Sequence, residues 1–87
     1  MMITDIETAF GVVLKRLRID NGLSQEGLAD ISGFHRTYLS LLERGRKTPS
    51  LATIEKLSQA LGLQMHQFIL LVEEELTKSN IFDGDPQ

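Results

Sequence analysis

The stretch from Ser24 to Arg44, SQEGLADISGFHRTYLSLLER, holds the side chains whose types and spacing are most informative. Ser24 is typical of a helix N-cap, and Gly33 is typical of a sharp turn because glycine accepts a positive φ without steric cost. A second short helix then begins at Arg36 and stops at Gly45. Two helices joined at a wide angle by a short glycine turn have the geometry of a helix-turn-helix. A helical hairpin with no role in DNA binding is the alternative that the pattern alone leaves open.

Residues suited to catalysis or metal binding are sparse. The chain of 87 residues has no cysteine, and its two histidines, His35 and His66, are far apart with no nearby ligand partners. No serine–histidine–aspartate set, carboxylate pair or metal-ligand spacing is present, so a general base would have nothing to act with. The sequence therefore predicts no enzymatic activity, no metal, no cofactor and no small-molecule ligand.

Charge is distributed unevenly along the chain. The net charge is −3, yet residues 15–56 hold eight of the nine Lys and Arg residues and only five of the twelve acidic residues. A basic face on an acidic body would produce this pattern, and so would chance segregation in a short chain. The chain has no apolar run near the roughly 18 residues of a membrane span and no signal pattern. We therefore expect one small cytoplasmic domain.

Apolar periodicity and capping residues predict five helices, at about residues 5–21, 25–32, 36–44, 51–61 and 65–78. The predicted architecture is all-α and compact, with the functional domain at residues 1–79 and a tail at residues 80–87. The positions expected to face the core are Ile6, Phe10, Val13, Leu14, Leu17, Leu28, Ala29, Ile31, Tyr38, Leu39, Leu42, Leu51, Ile54, Leu57, Leu61, Met65, Phe68, Ile69, Val72 and Leu76.

The chain resembles the lambda-repressor/Cro-type helix-turn-helix regulators, also called the xenobiotic-response-element family. The similarity spans about Phe10 to Leu63 and rests on GLSQ, RTYLS, ERG and PSL in this order and spacing. It implies a five-helix, lambda-repressor-like DNA-binding domain. Among the short members of the family, the controller proteins of restriction–modification systems are most similar in the recognition helix.

The resemblance implies a DNA-binding role for the polar residues around the turn. The helix beginning at Arg36 matches the recognition helix, and Arg36 itself could pair bidentately with guanine. Leu41 departs from the amide or charge that the family often has there, which implies apolar contact only. For His35, a weak cap, a phosphate contact and a solvent-exposed ring all remain open. The residues implied to read bases are Arg36, Thr37, Ser40 and Leu41, and those implied to contact the DNA backbone are Gln25, His35, Tyr38, Arg44, Arg46, Lys47 and Thr48.

Two further features concern structure and assembly. Arg18 and Glu43 match a partly buried salt bridge of the family, and both lie at core-edge positions, so their expected role is structural. The fifth helix is apolar around much of its circumference, which predicts a self-association face. That face is expected to consist of Phe68, Leu71, Val72 and Leu76. The alternative is a monomer in which the tail covers the helix through Ile81 and Phe82.

The predicted function is a homodimeric, sequence-specific regulator of transcription that binds double-stranded DNA at a (pseudo)palindromic operator. Restriction–modification genes are one candidate target, RNA polymerase is a candidate further partner, and activation and repression both remain open. The alternative is an antitoxin-type protein-interaction module that also binds DNA, in which the fifth helix and the acidic tail would contact a partner protein.

Overall fold

The computed structural model describes the backbone of residues 5–82 and the side chains of residues 5–78. It contains five α-helices, and no strand occurs within residues 5–82. The helices are α1 (Ile6–Asp20), α2 (Gln25–Ser32), α3 (Arg36–Glu43), α4 (Leu51–Leu61) and α5 (Met65–Phe82). The predicted all-α architecture is confirmed, although α5 continues past its predicted end at Lys78. Whether Ile81 and Phe82 cover other side chains lies outside the described residues.

Side-chain caps begin three of the helices where the sequence predicts them. Asp5 and Ser24 accept hydrogen bonds from the backbone N–H groups of Thr8 and Gly27, at 2.7 and 2.9 Å. Ser50 accepts one from the backbone N–H of Thr53 at 3.0 Å. Such caps satisfy donors that have no partner within the helix. Hydrogen bonding from Thr8, through its hydroxyl and its backbone N–H, also lowers the pKa of Asp5.

The hydrophobic core lies between α1 and the other helices. α1 packs against α3 and α5, α2 packs against α3 and α4, and α4 packs against α5. The Phe10 and Phe68 rings stack with their centroids 4.9 Å apart, which joins α1 to α5. Each fully buried aliphatic or aromatic side chain stabilises the fold by about 1.5–3 kcal/mol. The buried apolar residues are Ala9, Phe10, Val13, Leu14, Leu28, Leu39, Leu42, Ile54, Leu57, Leu61, Phe68 and Val72.

Four residues predicted as core are in fact exposed, by 42% to 73%. Ile6 and Leu51 are the first residues of α1 and α4, where the neighbouring helices do not reach far enough to cover them. Ile31 belongs to α2, which is so short that its buried strip has room for only one fully buried residue, Leu28. Ile69 lies at the flank of the buried stripe of α5. Periodicity identifies the inward direction of a helix but not the extent of its neighbours.

Gly11 permits a close approach between α1 and α3. A Cβ atom at this position would lie 2.5 Å from the backbone oxygen of Leu42 and 2.6 Å from that of Glu43. These oxygens belong to the last turn of α3, so they cannot move without shifting that helix. The C-terminal end of α3 therefore rests directly on the backbone of α1.

Candidate nucleic-acid interface

The four residues predicted to read bases share one face of α3. Arg36 and Thr37 are exposed in its first turn, while Ser40 and Leu41 are half-buried one turn later. The opposite face carries Leu39, which is fully buried together with Leu42. A short amphipathic helix with this arrangement can lie in a DNA major groove, with its N-terminal residues contacting base edges.

His35 occupies the N-cap position of α3, but its side chain makes no capping hydrogen bond. The imidazole is exposed instead. The sequence left open a weak cap, a phosphate contact and a solvent-exposed ring. The structure excludes the side-chain cap. A phosphate contact from this ring stays a prediction.

The Arg18–Glu43 ion pair is present and couples α1 to α3. The Nε of Arg18 lies 2.6 Å from Oε2 of Glu43, and its Nη2 lies 3.0 Å from Oε1. Its Nη1 donates to the Leu23 carbonyl at 2.8 Å, so the loop before α2 joins the same cluster. The Glu43 side chain is only 4% exposed, and hydrogen bonding to it raises the pKa of Arg18. The pair is buried and bidentate.

Gln25 joins this ion pair to the recognition helix. Its Nε2 donates to Oε1 of Glu43 at 3.1 Å, and its Oε1 accepts from Nη1 of Arg36 at 3.3 Å. The side chain predicted to contact the DNA backbone is therefore engaged within the protein. The backbone N–H of Gln25 lies at the first turn of α2, where an anion is favoured by the helix dipole. Phosphate binding at that position stays a prediction.

The segment after α3 forms a basic rim beside the recognition helix. Arg44, Arg46, Lys47 and Thr48 are all exposed. The Thr48 hydroxyl donates to Oε2 of Glu7 at 3.0 Å, which ties this segment to the first turn of α1. Exposed cations next to a groove-binding helix are suited to phosphate contacts, which set register rather than sequence preference.

Tyr38 lies between α3 and α4. Its hydroxyl is 3.2 Å from Oγ1 of the buried Thr53, and its ring packs 5.3 Å from that of Phe34. The hydroxyl is thus shared with α4, so packing between the two helices is its role in this structure. The predicted backbone contact would require the same hydroxyl to reach a phosphate as well.

The self-association face predicted on α5 needs correction. Phe68 and Val72 are buried at 0% and 2% exposure in the core of their own protomer, because α5 lays this stripe on α1 and α4. They cannot offer surface to a second copy. Leu71 and Leu76 are half-buried against the same core. Among the described residues of α5, the large apolar side chains that are exposed are Ile69 and Leu70, at 42% and 50%.

Sequence reasoning missed Glu7 and Gly11 in this region, and for Gln25 it predicted a contact with the DNA backbone but not the hydrogen bond with Arg36. Glu7 and Gln25 act through hydrogen bonds to residues 41 and 11 positions away, and no local pattern signals such pairs. Gly11 did leave a signal, since a glycine inside an apolar helical pattern often marks close backbone approach.

These features define a DNA-binding helix-turn-helix regulator of transcription. The chain belongs to the helix-turn-helix family, whose model matches residues 14–68. It is 44% identical to the control protein C.BamHI of Bacillus amyloliquefaciens over 64 residues, which is 72% of this chain and 79% of that protein. Among solved structures, it is similar to the restriction–modification controller protein C.AhdI of Aeromonas hydrophila, with a TM-score of 0.69 and 42% identity over 71% of this chain and 94% of that one.

A second solved structure is that of the controller protein C.Esp1396I as a tetramer in complex with its natural operator of 35 base pairs. It matches with a TM-score of 0.78 and 25% identity over 86% of this chain and 99% of that one. None of the helices described for the present chain is long and apolar enough to cross a membrane.

Proposed function

We propose that the protein acts as a homodimer that reads a (pseudo)palindromic operator through α3 of each protomer. The observation that carries this proposal is the difference between the two ends of α3. Its C-terminal end is anchored to α1 by a buried ion pair, while Arg36 and Thr37 are exposed at its N-terminal end. A recognition helix needs this combination, because base contacts require an exposed end held in a defined orientation.

Base reading and backbone binding fall to different residues in this proposal. Arg36 pairs with guanine O6 and N7, and Thr37 offers a hydroxyl or a methyl contact. The basic rim after α3 and the exposed His35 contact phosphates. The overall acidity of the chain does not oppose this, because eight of the nine Lys and Arg residues lie within residues 15–56, which include α3 and the basic rim.

Two arguments support a homodimer. One recognition helix reads too few base pairs for useful specificity, and apolar side chains are exposed on the protomer. Leu51 is 73% exposed at the start of α4, and Ile69 and Leu70 project from α5. Pro49, Ile54 and Ile69 line one shallow apolar cleft with Ile6, so the starts of α1 and α4 and the outer side of α5 meet there. We assign self-association to the surface that carries Leu51, Ile69 and Leu70, which we call the α4–α5 face. This surface replaces Phe68 and Val72 as the proposed dimer interface. The tetrameric assembly of C.Esp1396I on its operator supports self-association.

The exposed Leu70 allows a direct test of the dimer face. Leu70→Glu should convert a dimer to a monomer in analytical ultracentrifugation while circular dichroism shows unchanged helical content, because the side chain is exposed and lies outside the core. Ile19→Glu is the matched control, since Ile19 is 55% exposed on α1. A dimer that survives Leu70→Glu and dissociates with Ile19→Glu would place the interface elsewhere.

Restriction–modification genes are the proposed targets, because several similar proteins are control proteins of such systems. The function involves no catalytic step and operates in the cytoplasm, where the DNA lies. Selection of duplexes from a random library by the purified protein tests the DNA-binding proposal. We expect inverted half-sites with centres about 10–10.5 base pairs apart, or a multiple of that spacing. Enrichment of no sequence, or an affinity unchanged between low and moderate salt, would contradict it.

A further inference from the structure

The segment between α3 and α4 is held at its two ends by the flanking helices. On the α3 side, the backbone N–H of Arg46 donates to the Leu41 carbonyl at 2.9 Å. On the α4 side, the Ser50 hydroxyl accepts from the backbone N–H of Thr53 at 3.0 Å. Residues 47–49 lie between these two anchors, so their position depends on a further contact.

Thr48 supplies that contact. Its hydroxyl donates to Oε2 of Glu7, in the first turn of α1, at 3.0 Å. Among residues 5–78, this is the only hydrogen bond that joins residues 47–49 to a helix. Thr48 precedes Pro49, and a residue before proline is restricted to extended backbone conformations. A hydrogen bond at this stiff position can therefore fix the direction of the whole segment relative to α1.

The first turn of α1 is a firm support for the segment. A Cβ atom at Gly45 would lie 3.1 Å from the Cα atom of Thr8, so the segment begins in close contact with the backbone of α1. The backbone N–H of Thr8 is in turn bonded to the capping side chain of Asp5 at 2.7 Å. The segment thus lies on a capped turn at two points, with Gly45 on Thr8 and Thr48 on Glu7.

The cations of this segment lie close to Glu7. Arg46 and Lys47 are exposed, and they line one open cavity together with Glu7. None of the ion pairs formed within residues 5–78 involves either cation, so both are available to a phosphate. The Glu7 carboxylate has two properties that bear on DNA binding, since it accepts a hydrogen bond from Thr48 and its negative charge repels phosphate.

We propose that Glu7 is a positioning residue for DNA binding, which holds Arg46 and Lys47 in place for phosphate contacts by accepting the hydrogen bond from Thr48. This inference rests on the proposed function, in which the basic rim contacts the DNA backbone. It gives a DNA-binding role to a residue of α1, outside the helix-turn-helix. It also changes the role of the Thr48 hydroxyl from a backbone contact to the attachment of the segment that carries the cations.

The test compares Glu7→Gln with Glu7→Met, and the glutamine variant is the matched control. Both variants lack the charge of Glu7 and have side chains of similar length, but only glutamine has an oxygen that can accept a hydrogen bond from Thr48. Loss of the negative charge at the start of α1 therefore affects both alike. Affinities are measured at several salt concentrations, with a duplex selected from a random library by the wild-type protein and with its single-pair variants.

Glu7→Met should bind every duplex about two- to tenfold more weakly than Glu7→Gln, with base discrimination unchanged. Its affinity should also depend less on salt, by about one counterion, because a phosphate contact is lost. Equal affinities of the two variants would overturn the inference. A lower melting temperature of Glu7→Met with an unchanged salt dependence would overturn it as well, because the contact would then only stabilise the fold.

Thr48 allows an independent test of the same hydrogen bond. Thr48→Val removes the hydroxyl and keeps the shape of the side chain, whereas Thr48→Ser keeps the hydroxyl and should bind as the wild-type protein does. Thr48→Val should weaken binding to all duplexes and produce no further loss in the Glu7→Met background. Additive losses would overturn the inference, because they would indicate that Thr48 contacts a phosphate directly. If instead Lys47→Ala alters neither affinity nor salt dependence, the assignment of the basic rim to phosphates in the proposed function is what fails.

Discussion

The two ends of the recognition helix are built in opposite ways. The C-terminal end of α3 is held by a buried, bidentate ion pair and by direct contact between its backbone and Gly11. The N-terminal end begins at His35, which gives it no side-chain cap, and its first residues are exposed. In the proposed function, stability and base reading are thus assigned to different ends of a helix of only eight residues. Substitutions at one end should affect folding, and those at the other should affect DNA preference.

The largest effect is expected at the anchored end. Glu43→Ala leaves Arg18 charged in a buried site with no carboxylate partner, which should lower the free energy of unfolding by about 3–5 kcal/mol. Urea denaturation followed by circular dichroism measures this loss. Glu55→Ala, at an exposed position of α4, is the control and should change stability by less than about 0.5 kcal/mol. Similar losses from both variants would show that the ion pair does not anchor α3.

Gly11→Ala tests the backbone contact at the same end. The added methyl would meet the Leu42 and Glu43 carbonyls, so α3 must shift, at a cost of about 1–3 kcal/mol. Elsewhere in a helix, this substitution is favourable by about 0.5–1 kcal/mol. Gly27→Ala in α2 provides that comparison, because its nearest neighbours are side-chain atoms at 3.3 Å or more. If thermal denaturation showed that Gly11→Ala is more stable than the wild-type protein, the close contact between position 11 and the end of α3 would be contradicted.

Arg36→Ala should change DNA preference at the N-terminal end of α3 without affecting the stability that the C-terminal end provides. We expect a loss of about 1–3 kcal/mol in preference for one base pair, with the melting temperature unchanged. Binding titrations with a selected duplex and its single-pair variants measure this preference. Lys47→Ala should weaken binding to all sequences alike and reduce the salt dependence by about one counterion. Loss of preference from Lys47→Ala to the same degree would refute the division between base and backbone contacts.

His35→Ser should have the smallest effect, and in the opposite direction. The His35 side chain accepts no hydrogen bond from the backbone N–H groups in the first turn of α3. A serine at this position can accept one, which should stabilise the fold by about 0.5–1 kcal/mol. Ser50→Ala, which removes an existing cap at α4, should destabilise it by a similar amount. Denaturant midpoints of the two variants provide the measurement. A decrease in stability for His35→Ser would contradict the absence of a side-chain cap at the N-terminal end of α3.

Local chemical signals explain why most of the fold was predictable from the sequence. The caps Asp5, Ser24 and Ser50, together with the glycine at the turn between α2 and α3, act within three or four residues and set the helix bounds. Gly33 has a φ of 81°, which a residue with a side chain rarely adopts. The outward residues of α3 follow from the same local periodicity, once its start is known.

The parts that could not be predicted depend on contacts between distant segments. The exposure of Ile6 and Leu51 is decided by where the neighbouring helices end, and the periodicity of a sequence does not give this information. The hydrogen bond from Arg36 to Gln25 requires the angle across the turn to be known to within a fraction of an ångström. The sequence thus predicted which residues would face DNA, but not the contacts that join them within the protein.

The contact at Gly11 also bears on the spacing between half-sites. With backbone packed on backbone, α1 and α3 have no slack between them, and α1 is itself packed on α5 beside the proposed dimer face. We expect α3, α1 and α5 of a protomer built this way to move together as one unit. Operators with altered spacers must then be accommodated by bending or twisting the DNA, at an elastic cost of about 1–6 kcal/mol for a sizeable bend. The tolerance for spacer length should therefore be set by the stiffness of the DNA.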